Sequence, residues 1–188
     1  MTELELSHVY SYAELNSLGY SSNTLTNLTR MNKLTRIQRG FYALKNEDIL
    51  YSTIQLFPEG IICLESALYY YGYIKNKPEI LTIAVDKSHN RNKYKHHGLA
   101  IKAYFRDDKY IKLGCISLNY LGLNFFIYDK ERTICDCIRR KELISERSYK
   151  TAIKSYINDK DKDLNRLRKY AKELRIEKKV EFLIESVM

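Results

Sequence analysis

Between Ser21 and Lys45 the chain carries five cations, Arg30, Lys33, Arg36, Arg39 and Lys45, and no Asp or Glu. Short polar side chains, Ser22, Asn23, Thr26 and Asn27, stand among them. Asn and Arg can reach base edges in a major groove, while Lys and Arg neutralise backbone phosphates. On a helix, Asn23, Thr26, Asn27 and Arg30 share one outer face, because positions i, i+3, i+4 and i+7 coincide there. The candidate DNA-binding residues are therefore Ser22, Asn23, Thr26, Asn27, Arg30, Lys33, Arg36 and Arg39. A winged helix used only for protein contact is the competing reading, and the missing acids favour nucleic acid.

These side chains need a scaffold, and the flanking sequence supplies one. Ser11 and Glu14 form a capping-box pattern that opens a short helix ending near Gly19. Ser21 or Ser22 caps a second helix running to about Met31, with Leu25 and Leu28 facing inward. The stretch LTRIQRGFYAL, residues 34–44, alternates loosely. Leu34, Ile37, Phe41 and Leu44 are expected on one side, and Thr35, Arg36, Gln38 and Arg39 on the other. Gly40 can take the positive φ that a three-residue hairpin loop requires. The expectation is a basic-tipped ribbon with Phe41 or Tyr42 anchored in the core. Helix, glycine turn, helix and ribbon make a winged helix-turn-helix over residues 1–46. Winged domains normally begin with another helix, and only ten residues precede Ser11.

Residues 47–188 read as a larger α+β domain with a helical tail, so the fold class is α+β. EDILYSTIQLF and LESALYYYGY look helical; ILTIAV, LAIKAYF and parts of residues 112–129 look like strands. Asp129 is placed to cap a helix through Arg140. Apolar residues recur at helical spacing from Tyr149 to Val187. With 45% apolar and 29% charged residues the chain is an ordinary globular one, and its formal charge of +9 favours an anionic partner. No run approaches the ~18 apolar residues of a membrane helix, and MTELELSHVY lacks the pattern of a signal peptide. The expected location is the cytoplasm, with no membrane partner and with Cys63, Cys115, Cys135 and Cys137 reduced.

A second basic run, residues 87–112, holds eight Lys/Arg, three His and two Asp. It reads either as a solvated loop and lysine-guarded sheet edge or as a second anionic contact. His96 and His97 are adjacent and make a weak metal site, and Cys135 and Cys137 are two apart on a helix, on different faces. Asp86-Lys87 after ILTIAV, with Glu65 on a preceding helix, resembles part of a metal-dependent nuclease site. The second strand carboxylate is missing, and Ala84 occupies its place. No phosphate loop, nucleophile elbow or Cys-x-x-Cys is present. The sequence points to a binding protein rather than an enzyme, with no metal or cofactor.

Several stretches in order, LGYSSNTLTNLTRMNKLTRIQRGFYAL, ESALYYYGY, ILTIAV, YDKERTICDCIRRKEL and LNRLRKYAKEL, resemble the AbiEi-type antitoxins of bacterial abortive-infection (type IV toxin–antitoxin) systems. The resemblance implies an N-terminal winged helix that binds inverted repeats in double-stranded DNA of its own promoter and represses the operon. It implies a C-terminal domain that counteracts a cognate nucleotidyltransferase-like toxin and need not form a stable complex with it. An orphan transcription factor would share these features. Arg39, Gly40 and Tyr42 fall on the family's wing motif. Asp129, Arg132 and Thr133 fall on its body motif, where a helix-capping role for Asp129 and a carboxylate partner for Arg132 are expected.

Overall fold

The computed structural model describes residues 4, 8–44, 48–95 and 98–185, the side chain of Asp108 excepted. The chain divides into two compact units, each assembled from three separate stretches. The first comprises residues 1–58, 90–101 and 119–125, and the second comprises the remainder.

In the first unit, β1 (Tyr10–Ser11) leads into α1 (Tyr12–Ser17), then α2 (Ser22–Arg30), β2 (Leu34–Gln38), β3 (Phe41–Leu44) and α3 (Ile49–Leu56). The capping box forms as the sequence requires. Glu14 N donates to Ser11 Oγ at 3.2 Å, and Ser11 N donates to Glu14 Oε2 at 2.7 Å. Ser21 caps α2 by accepting from Thr24 N. Asn32, at φ +58°, ends that helix, and Lys33 N donates to Leu28 O at 2.9 Å. This left-handed closure turns the chain straight into β2.

The three strands order as β1-β3-β2, and β1 pairs antiparallel to β3. A bulge between Arg36 and Gln38 breaks the regular alternation of β2. The apolar residues of the ribbon consequently divide between two faces, not one as the sequence pattern implied. Leu34 and Tyr42 pack with Leu15 and Leu25 of the two helices. Ile37, Phe41 and Ala43 pack with Val9, Ile49, Leu56 and Leu99. Both Phe41 and Tyr42 are thus anchored, on opposite sides of the sheet. Pairing of Gln38 with Phe41 leaves a two-residue turn, Arg39-Gly40, instead of the expected three-residue loop.

The expected division at residue 46 falls among residues 45–47, outside the described residues. α3, which that division assigned to the body, shares the core of the first unit. Its Gln55 accepts from Val9 N at 2.8 Å. Because the sheet is apolar on both faces, α1 and α2 alone cannot cover it.

The second unit is built on a five-stranded sheet of order β6-β5-β4-β8-β7. Its strands are β4 (Ile61–Ile62), β5 (Leu81–Asp86), β6 (Ile101–Arg106), β7 (Cys115–Tyr120) and β8 (Leu123–Tyr128). Although only two residues long, β4 lies at the centre, antiparallel to β5 and parallel to β8. The helices are α4 (Leu64–Tyr70), α5 (Asp108–Ile111), α6 (Lys130–Arg139), α7 (Glu146–Ile157), α8 (Leu164–Glu173) and α9 (Glu177–Glu185). Their apolar stripes meet in one core through Leu68, Ile134, Ala152, Tyr156, Leu167 and Val180. The molecule is α+β, with an N-terminal winged helix-turn-helix and a helical tail. Among the described residues no helix is long and apolar enough to cross a membrane.

Candidate nucleic-acid interface

α2 is amphipathic by construction. Leu25 is buried, whereas Ser22, Asn23, Thr26, Asn27 and Arg30 are all exposed. Lys33 just beyond it, Arg36 on β2 and Arg39 at the turn are exposed as well. The fold thus presents all eight predicted residues to solvent on two consecutive elements, the second helix and the wing. No carboxylate pairs with Arg30, Lys33, Arg36 or Arg39 among the described residues. The fifth cation, Lys45, lies outside them.

The polar groups of α2 differ in availability. Thr26 Oγ1 donates back to Ser22 O at 2.9 Å, and Arg30 Nη2 lies 3.5 Å from Asn27 Oδ1. Asn23 has no such local bond and projects from the first turn of the helix. Ser22 Oγ lies 2.7 Å from the hydroxyl of Tyr12. Tyr12, 42% exposed, thereby joins the start of α2 to the surface. Sequence reading missed it, because a Tyr in a short helix reads as core material.

The wing is fixed to the helices through its turn. Gly40 sits at φ +82°, where a Cβ is disfavoured, and its carbonyl accepts from Tyr12 N at 2.7 Å. Arg39 is therefore held at a turn tied to the first residue of α1. Helix dipole and composition act together: α2 has no acid in its first turn and ends on Arg30.

The remaining candidates have structural duties. Asp86 ends β5 and accepts from Ser88 N at 2.7 Å; its bonds to Ser88, chiefly that to the side chain and then this turn-forming one, hold its carboxyl below the usual carboxylate range. Glu65 Oε1 accepts from Ser145 N at 3.3 Å. Lys87 pairs with Asp107 at 2.6 Å. Among the described residues no group of three or more His, Cys, Asp or Glu could hold a metal ion. His96 and His97 fall outside the described residues. Cys63, Cys135 and Cys137 are buried free thiols. Burial pushes Cys63 and Cys135 up to about 12, which leaves them unreactive near neutral pH.

The body motif is a buried scaffold. Asp129 Oδ1 accepts from Arg132 N at 2.7 Å and caps α6, while Tyr170 donates to Oδ2 at 2.9 Å. Arg132 is fully buried; its Nη1 donates to Tyr110 O and Leu113 O, each at 2.7 Å. Its Nε lies 3.3 Å from Asp136 Oδ2, the expected carboxylate. A Cβ on Gly114 would come within 2.5 Å of Arg132 Cβ, so this approach requires glycine. Thr133 Oγ1 donates to Tyr128 O at 3.2 Å.

Comparison with known proteins agrees with this geometry. Over 95% of the chain, and 71% of the other, the fold is similar to the crystal structure of RV2827C protein from Mycobacterium tuberculosis, with TM-score 0.68 and 13% identity. A search of curated protein sequences gives no significant match. Residues 5–45, which span both helices and the wing, match the family described as "Transcriptional regulator, AbiEi antitoxin". The head of this chain is thus similar to the transcriptional-regulator segment of AbiEi antitoxins, over these residues.

Proposed function

We propose that the chain is a DNA-binding antitoxin that represses its own operon through α2 and the wing. The observation that carries this reading is the exposure of all eight polar and basic residues on those two elements, in a stretch without acids. In this reading α2 enters the major groove. Asn23 and Asn27 there have the donor–acceptor pair that matches adenine, and Arg30 reaches guanine or phosphate. Lys33, Arg36 and Arg39 neutralise phosphates beside the groove and set the register of the helix. The second unit would counteract a cognate nucleotidyltransferase-like toxin, as the resemblance to type IV antitoxins implies.

Duplex DNA from the chain's own upstream region tests this reading by fluorescence anisotropy across a salt series. Neutralising four to five phosphates gives a log–log slope of about −4. Absence of binding at low salt, or an affinity indifferent to salt, would overturn it.

A further inference from the structure

α9 carries most of its charges at the wrong ends. Lys178 and Lys179 stand in its first turn beside Glu177, while its last turn holds no cation and ends on Glu185. The helix dipole favours the reverse, anions at the start and cations at the end. Lys178, Phe182 and Glu185 follow one another at i, i+4 and i+7, so they form a single stripe along the helix. Val180 and Ile184, both buried, mark the opposite side. All three stripe residues are exposed, and Phe182, at 74%, is the most exposed large apolar side chain among the described residues.

Beside this stripe lies a groove of about 600 Å³, lined by Ile138 of α6, Tyr149 of α7 and Phe182 and Leu183 of α9, with Lys178 and Lys179 in its wall. Glu181 is held by Arg168 at 3.0 Å and Glu146 by Lys150 at 2.7 Å. Lys178, Lys179 and Glu185 have no ion-pair partner among the described residues. An exposed aromatic beside an apolar groove marks an interaction site, and the flanking charges select the partner. A helix with cations at one end, an aromatic in the middle and an acid at the other is complementary to itself run backwards. A two-fold axis between Glu181 and Phe182 sets Lys178 opposite Glu185 of a second copy, and Glu185 opposite its Lys178. The two dipoles then run antiparallel, and each misplaced charge gains the partner it lacks on its own helix.

We propose that the chain forms a two-fold symmetric homodimer by antiparallel packing of α9 on α9 of a second copy. Phe182 of each copy seats in the other's groove, and Lys178–Glu185 pairs close both ends. The surface lies wholly within the second unit and is independent of the DNA reading. A nine-residue helix and one groove make an interface at the small end of the specific range, at or below about 1,200 Å². The dimer is accordingly reversible, and its population follows protein concentration.

Sedimentation velocity of the full-length chain without DNA, over a concentration series into the high-micromolar range, measures the association. The wild type is expected to pass from monomer to dimer across the series. Phe182→Gln should raise the dissociation constant at least about tenfold, because the anchor is lost on both sides of the axis. Lys178→Glu and Glu185→Lys each set like charges face to face and should each weaken the dimer. The double variant Lys178→Glu/Glu185→Lys reverses the pairs and is expected to restore it. Thermal unfolding checks the fold of each variant, which the exposure of all three positions protects. A wild type that stays monomeric throughout overturns the inference. So does a dimer indifferent to Phe182→Gln, which places the contact elsewhere. A double variant as weak as the single ones breaks the antiparallel register and overturns it too.

Discussion

Arginines in the two units meet opposite fates. Arg36 and Arg39 stand exposed on the wing with no carboxylate partner among the described residues, whereas Arg132 is wholly buried on α6. Arg132 packs over the Tyr128 ring, 4.3 Å from its centroid, and Asp136 is shared with Arg106, whose Nη2 lies 3.9 Å from the same carboxylate oxygen. A buried charge is tolerated only with partners of its own. An exposed one costs the fold almost nothing and stays available. The same side chain therefore serves architecture in the body and stays available for the proposed recognition in the head, and burial decides which.

The most damaging way to probe this contrast is to remove the shared carboxylate. Asp136→Leu leaves Arg132 and Arg106 buried without their acid, and is expected to destabilise the chain by about 3–5 kcal/mol. Denaturant unfolding measures it, and a cost below about 1 kcal/mol would show that burial does not bind these groups to the fold. On the wing the pattern reverses. Arg36→Ala with Arg39→Ala should weaken DNA binding by roughly 1.5–3 kcal/mol while stability moves by no more than about 0.5 kcal/mol. Reporter repression and growth rescue, with toxin and antitoxin on separate inducible promoters, read both roles in one variant. Rescue that vanishes along with repression, in protein still folded and abundant, would end the separation of duties between the units.

A smaller effect isolates stability within the head from its charge. Ser11→Ala removes one half of the capping box and should cost about 1 kcal/mol, with the salt slope of DNA binding unchanged. The Ser11 bonds, chiefly that to its side chain, hold the Glu14 carboxyl below its ordinary range. A lowered value in the folded state adds stability above the unfolded value and loses it as pH falls through the folded one. The difference between wild type and variant should accordingly be full at pH 7 and shrink below about pH 4.3. A difference that grows on acidification would contradict the assignment.

What the sequence made legible follows from range. The capping residues Ser11, Ser21 and Asp129 act within three positions of themselves, and each performs as its neighbours predicted. Helical stripes in α7, α8 and α9 were visible for the same reason, since an amphipathic period needs no distant partner to be seen. By contrast, β1 and β4 have two residues each and carry no period. They exist because another strand is there to pair with them. The two-faced burial of the wing was hidden because Leu99 and α3, which cover its second face, come from beyond the ribbon. The eight candidate site residues could be proposed from local composition, whereas the position of residues 90–101 depends on Gly98 meeting Ile37 some sixty residues earlier. A close backbone approach of that kind leaves only a glycine behind in the sequence.

The chain passes between its two units five times on the way from one end to the other. For evolution this means that the winged-helix part is not a cassette. A single crossover after the wing would transfer both helices and the ribbon but leave behind α3 and the segment that seals β2. A recombinant of that kind would inherit the winged helix with one face of its sheet bare, and the operator specificity proposed for α2 and the wing would have to drift by substitution rather than by exchange of a module.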